Sequence, residues 1–240
     1  MSLDFSQFRC LTFDCYGTLI DWEQGILDAL RPILQAHGTR TLDSELLRIY
    51  ADLEASLESG AYRSYRSILE DVVRGVGERF HFSPTAQEMR SLPESLRDWE
   101  PFADTQAALN ALHTRYKLAV ISNTDDDLFA ATAKKIGINF DFVITAQQAK
   151  SYKPSLNNFR VALDRIGLPA ANVLHVAQSV FHDVVPAKSV GMATVWVTRR
   201  RVKEGIAATL PAIGQPDMEV PDLKTLADAA GVSHPAMQPF

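Results

Sequence analysis

The sequence predicts an α/β protein: a doubly wound, Rossmann-like parallel sheet with an all-helical layer inserted near its start. Three observations carry this. Short apolar runs of strand character recur, each followed by a helical pattern, which is how a parallel sheet with crossover helices reads. The first run, Phe8 to Phe13, ends abruptly in Asp14 and then a glycine turn at Gly17, so a carboxylate stands where a buried strand gives out. Between that strand and the next, four consecutive helical patterns pass with no strand-like run, which implies a separate helical unit set into the α/β core.

The elements are taken in chain order. Ile26, Leu27, Leu30, Ile33 and Leu34 recur at three-to-four-residue spacing and predict a helix over Trp22 to His37, stopped by Gly38. Further helical patterns cover Leu42 to Glu58, Tyr65 to Phe80 and Pro84 to Leu96. The helical insertion is thus expected over residues 20–98, as a cap, with residues 1–19 and 99–240 forming the core. The core resumes with a helix at Thr105 to Thr114 and a strand from Lys117 to Ile121, which runs out into Ser122-Asn123-Thr124. Strands are read at Phe142 to Ile144, Val173 to Val176 and Thr194 to Val197, and helices at Asp127 to Ile136, Leu156 to Ile166 and Val184 to Val190. Pro211 to Pro221 reads as loop and Leu223 to Ala230 as a last short helix, while the tail to Phe240 is expected to be poorly tied down.

Composition narrows the function classes. In 240 residues, 46% hydrophobic and 22% charged, there is ample material for the core of one large or two small domains. The net charge of -5 gives no electrostatic reason to expect nucleic acid or an anionic membrane as partner. The one basic cluster, Arg199-Arg200-Arg201, reads as a solvated strand end. No apolar run approaches a bilayer span and the N-terminus lacks the layout of a secretory signal, so a cytoplasmic protein is expected. Cys10 and Cys15 stand an odd number of positions apart on one strand and its exit, so they should face opposite sides without a disulfide. Cys15 is read as a small packed side chain rather than a reactive thiol.

Several strands end in polar residues that one rim of the sheet would gather. Asp14 stands where open parallel sheets bind ligands, although an isolated aspartate there caps a helix about as readily. Ser122 and Asn123 bring a hydroxyl, an amide and backbone N–H groups suited to a carboxylate, in letters that also make an N-cap. Lys153, in Ser151-Tyr152-Lys153-Pro154, would be aimed by a rigid turn ahead of a helix. An ammonium there would keep Asp14 ionised. Asp183, in Gln178-Ser179-Val180-Phe181-His182-Asp183, either caps the following helix or converges with Asp14 and Lys153. His182 is read as structural.

Together Asp14-Cys15-Tyr16-Gly17-Thr18, Ser122-Asn123, Lys153-Pro154 and the Gln178 to Asp183 stretch resemble the four motifs of the haloacid dehalogenase (HAD) superfamily. Asp14-Cys15-Tyr16 resembles its 2-haloacid dehalogenase branch, since the phosphatases place a second acid where this chain has Tyr16. The resemblance implies a HAD core with a helical cap and hydrolysis of a 2-haloacid through an aspartyl ester, releasing halide and a 2-hydroxy acid. Asp14 would attack, Thr18 would brace it, and Lys153 and Asp183 would orient water. The backbone around Tyr16, Ser122 and Asn123 would bind the substrate carboxylate. In the cap Arg48 would receive the halide, with Arg63 and Arg66 as alternatives. No metal is required on this reading; weak Mg²⁺ binding through Asp14, the Tyr16 carbonyl and Asp183 stays open. The cap would close by hinges near Leu19 and Trp99, and apolar cap helices leave room for a homodimer. Gln178, Val180 and Phe159 depart from the dehalogenase pattern and bear on substrate choice. A Mg²⁺-dependent phosphatase and a non-catalytic binding protein on the same fold are the alternatives.

Overall fold

Cys10, Leu11, Thr12 and Phe13 have no contact with solvent and form β1 (Cys10–Phe13), an interior strand of a sheet in the computed structural model, which describes residues 3–199 and 212–232. Four helices come before the next strand: α1 (Trp22–Ala36), α2 (Asp43–Glu58), α3 (Tyr65–Arg79) and α4 (Ala86–Ser95). The chain then alternates through α5 (Thr105–His113), β2 (Lys117–Ser122), α6 (Asp126–Ile136), β3 (Phe142–Thr145), α7 (Ala146–Ala149), α8 (Leu156–Ile166) and β4 (Val173–Ala177). It closes with α9 (Val185–Ser189), β5 (Ala193–Val197), β6 (Met218–Val220) and α10 (Leu223–Ala229).

All six strands are parallel, in the order β3-β2-β1-β4-β5-β6. Side chains alternate between two covered faces, as buried parallel strands require. Leu11, Phe13, Val120 and Val176 fall in one apolar cluster and Cys10, Ala119, Ile121 and Val173 in another. Cys15 joins the first cluster, so the two cysteines do face opposite sides, and both are free. Burial pushes the Cys10 thiol up to about 12 and the Cys15 thiol well above its ordinary value, which leaves both inert.

Register decides where the chemistry can sit. Phe13 pairs with Val120 on one side and Val176 on the other. The chain therefore leaves β1, β2 and β4 at the same rim. Strand order reverses direction around β1 and β4, and that is where open sheets leave a crevice.

The helical cap packs through Trp22, Ile26 and Leu30 of α1, Leu46 and Tyr50 of α2, and Ile68, Leu69 and Val72 of α3, all buried in the main core. Local capping sets the helix starts. Ser64 accepts from the Ser67 N–H at α3, and Thr85 and Glu88 form a capping box at α4. The two crossings between cap and core run side by side: Asp21 donates its N–H to the Glu100 carbonyl and Phe102 to that of Leu19. Gly25 is needed at this seam, because a Cβ there would lie 2.5 Å from the Trp99 ring.

Two expectations are corrected. Residues 218–220 form β6, an edge strand pairing Met218 with Val195 and Val220 with Val197, where loop was expected. Three residues carry too little pattern to announce a strand that exists only by pairing. Arg199 is no solvated strand end: its buried side chain pairs with Asp104 at 2.6 Å and donates Nε and Nη2 to the Thr18 carbonyl at 2.9 and 2.6 Å. Arg200, Arg201 and the tail to Phe240 lie outside the described residues. Among the described residues no helix is long and apolar enough to cross a membrane.

Candidate active site

Asp14 comes directly after β1, and its N–H donates to the Val176 carbonyl of β4 at 3.1 Å, which fixes where its side chain leaves the sheet. Gly17, at a φ of 92°, then turns the chain back so that Thr18 donates its hydroxyl to Asp14 Oδ2 at 2.8 Å. Thr18 is itself held, its Oγ1 accepting the Gln178 N–H at 2.9 Å and its carbonyl receiving Arg199. Lys153 reaches the same point after the turn that precedes α8. Its Nζ donates to Asp14 Oδ1 at 2.8 Å, Asp183 Oδ1 at 2.6 Å and the Ile121 carbonyl at 3.0 Å. Asp14, Thr18, Lys153 and Asp183 thus converge as the sequence led one to expect.

Asp183 sits in a π-helical turn, Val180–Val184, between β4 and α9. Behind it His175 Nε2 lies 3.0 Å from Asp183 Oδ1, and His175 Nδ1 lies 2.8 Å from Thr12 Oγ1. Asp183 Oδ2, though buried, meets no hydrogen-bond partner among the described residues. A carboxylate oxygen in that state is an acceptor waiting for a donor.

Burial sets the charges here, and Lys153 corrects them. Burial raises the Asp14 carboxyl and the charge of Asp183 adds to it, against the opposing pull of Lys153. Burial acts on Asp183 in the same direction, but Lys153 and His175 outweigh it and hold that carboxyl below its ordinary range. For Lys153 burial favours the neutral amine, yet the two carboxylates prevail and keep the ammonium charged. His182, beside Asp183 in sequence, is pushed down to about 4 by burial and is neutral near pH 7.

These groups open onto a cavity of about 40 Å³, whose lining includes Tyr16, Trp22, Glu54, Glu58, Tyr65, Ser122 and Asn123. At about 15 Å³ for each water molecule, that is room for a ligand of only a few heavy atoms. The cap supplies two carboxylates that sequence reasoning missed. Glu54 Oε1 receives the hydroxyls of Tyr50 at 2.7 Å and Tyr65 at 2.6 Å. Glu58 accepts from Asn123 Nδ2 at 3.2 and 3.4 Å. Asp125 clamps the cap from the core side, accepting the N–H groups of Tyr65 and Arg66 at 3.0 and 2.9 Å and so capping α3.

A profile of haloacid dehalogenase-like hydrolases matches residues 8–191. The chain belongs to the haloacid dehalogenase-like hydrolase family. It is 25% identical over 225 residues to the (S)-2-haloacid dehalogenase of Pseudomonas sp. (strain YL), covering 91% of this chain and 92% of that one. It is also 24% identical over 202 residues to a phosphoglycolate phosphatase of Neisseria gonorrhoeae, covering 82% and 83% respectively. Among solved structures, L-2-haloacid dehalogenase from Xanthobacter autotrophicus shares the fold with a TM-score of 0.80 at 21% identity, over 96% of this chain and 100% of that one.

In this haloacid dehalogenase-like hydrolase the expected halide residue is a correction. Arg48 does not line the cavity; it pairs with Asp52 at 3.1 Å on the outer face of α2, with 48% of its side chain exposed. The reason is helical geometry: positions two apart point about 200° away from each other, so Arg48 faces out where Tyr50 and Glu54 face in. Arg63 and Arg66 are engaged outside the cavity as well, with Asp71 and Asp127. Arg48→Ala is therefore expected to leave hydrolase turnover within about twofold of wild type, surface pairs contributing little. A loss of tenfold or more would restore Arg48 to the site.

A divalent cation, which the superfamily's phosphatases use, fits these residues poorly. Lys153 already bridges one oxygen of Asp14 and one of Asp183, and Gln178, five positions before Asp183, offers a neutral amide rather than a carboxylate. Among the described residues no group of three His, Cys, Asp or Glu is placed to hold a metal.

Glu54 makes stability depend on pH. Burial raises its carboxyl to about 7, against the pull of the two tyrosine hydroxyls. A group raised on folding stabilises below its unfolded value near 4.5 and loses that contribution as pH climbs through 7. At about 1.4 kcal/mol per unit, the loss is about 3 kcal/mol. Wild type is thus expected to lose stability between pH 5 and about 8, and Glu54→Gln to flatten that part of the slope. Parallel slopes in thermal unfolding would contradict the assignment.

Proposed function

We propose that the chain is a hydrolytic dehalogenase that opens the carbon–halogen bond of a short organic halide through an ester on Asp14. The supporting observation is Lys153, which holds Asp14 charged and correctly turned while leaving Asp183 Oδ2 unoccupied beside it. An Asp14 oxygen attacks the halogen-bearing carbon in line; the new C–O bond forms as the C–X bond breaks, and halide leaves with the electron pair. Halide needs no proton, in keeping with Tyr16 where a phosphatase carries its acid. Water donating to Asp183 Oδ2 then attacks the Asp14 carbonyl carbon. Asp183 takes one proton of that water and passes it to the departing alkoxide, and the second proton is lost to solvent as the Asp14 carboxylate is restored, giving alcohol and free Asp14. Donors around Asp14 stabilise the oxyanion formed on the way, Lys153 first among them.

The 2-haloacids named for the relatives are the reference substrates for this chemistry, which needs no metal. Cavity charge also weighs against the phosphatase reading, since a phosphate dianion would enter among several carboxylates. The test is halide release from short chlorides in the presence of EDTA. Undiminished release is expected. Phosphate release from phosphate esters that appears only with Mg²⁺, and no halide from any chloride, would replace this reading with the phosphatase one.

A further inference from the structure

The cavity beside Asp14 is lined by more acids than bases. Asp14, Glu54, Glu58 and Asp183 line it, and Lys153 is the one cation among the described lining residues. An ammonium has three hydrogens to give, and those of Lys153 go to Asp14, Asp183 and the Ile121 carbonyl. None remains for a ligand anion. Asn123 is committed too: its Nδ2 donates to Glu58 and to the Lys153 carbonyl at 3.1 Å, and its Oδ1 accepts the Lys153 N–H at 2.7 Å. Glu58 thereby occupies the amide that the family resemblance reserved for a substrate carboxylate.

Acceptors, by contrast, are in surplus. Both tyrosine hydroxyls converge on Glu54 Oε1, so Oε2 takes part in neither bond. Two polar atoms of the lining are buried without a partner among the described residues: Asp183 Oδ2, an acceptor, and Ser122 Oγ, a hydroxyl that can accept or donate, on a residue 1% exposed. Such orphans are rare unless a ligand completes them. The aromatic rings of Trp22 and Tyr65 complete the wall, and such rings also attract cations.

We propose that the substrate carries a protonated amine, which seats beside Glu54 and Glu58 while its halogenated carbon meets Asp14, and that the pocket selects against 2-haloacid anions. The site rests on the geometry above; only the reaction attached to it rests on the dehalogenase reading. The acids' own tendencies agree. Burial raises both Glu54 and Glu58, and the repulsion between them raises Glu58 further. A cation placed against the pair relieves that strain, whereas a second anion aggravates it.

The subsite is tested with unreactive probes of the right size. Calorimetric titration of wild-type protein with propylammonium and with propionate is expected to show the amine binding about tenfold tighter or better. Glu54→Gln and Glu58→Gln, which keep side-chain size, should each weaken the amine about tenfold and leave propionate no weaker. Propionate binding as tightly as the amine, an amine affinity unmoved in both variants, or no binding of either probe would overturn the proposal. The wild-type comparison stands even if a variant folds poorly. Halide release from 2-chloroethylammonium and 2-chloropropionate separates this inference from the reaction it rests on. Amine binding with no halide from either chloride leaves the subsite and removes the dehalogenase. Higher kcat/KM for 2-chloropropionate leaves the dehalogenase and removes the subsite.

Discussion

Asp14→Asn is expected to abolish halide release, a loss of about 10⁴-fold or more, while leaving the protein at least as stable at pH 7. The amide has the size of the carboxylate and can still accept from Thr18, but it is no nucleophile. Stability moves the other way because burial holds the Asp14 carboxyl above its ordinary range. A carboxyl raised on folding favours the folded state only at low pH, so its ionised form works against folding near neutrality. Removing that charge relieves the fold and destroys the reaction, a common trade at strained sites. In wild type, kcat/KM should rise with pH as Asp14 ionises, with its limb above the usual aspartate value of about 4. Activity surviving in the Asn variant would dismiss the nucleophile.

Lys153→Met carries the largest expected structural effect. The ammonium is 2% exposed and is the shared partner of two buried carboxylates. Removing one member of a buried charge network leaves the others uncompensated, at about 3–5 kcal/mol. For a chain of this length that lowers the thermal midpoint by about 10 °C or more. The Lys153 pKa is raised on folding, so its stabilisation is complete at every pH below the ordinary lysine value. The variant's deficit should accordingly be greatest near pH 7–8 and shrink towards pH 5, where Asp14 and Asp183 can take up protons. Turnover falls with it. A midpoint within about 2 °C of wild type at pH 7 would show that the buried network does not carry the site.

Much of this architecture was legible because it is written locally. Buried stretches such as Cys10 to Phe13 and Leu118 to Ile121 are continuous, largely apolar runs, and each gives way to turn or polar residues. Parallel order brings those ends to one rim, so Asp14, Lys153 and Asp183 were found from motif and strand position alone. The features that escaped reading depend on closure in three dimensions. Arg199 looks like one of three surface arginines until β5 delivers it under the Thr18 carbonyl. Asp125 stands at the N-cap position of α6, yet its side chain caps α3 across the cap–core seam. Tyr50, Glu54 and Glu58 did leave a trace: a four-residue spacing continues the apolar face of α2 into the cavity, and a buried face that turns acidic is a warning worth heeding.

The claim on which the reaction rests is that carbon becomes bonded to an Asp14 oxygen. Mass spectrometry of protein quenched during turnover of 2-chloroethylammonium or 2-chloropropionate tests it directly. The expected result is a transient adduct, heavier by the substrate less its chloride, on the peptide that contains Asp14 and absent in Asp14→Asn. Steady halide release with that peptide unmodified at every quench time, or an adduct on another residue, would contradict it.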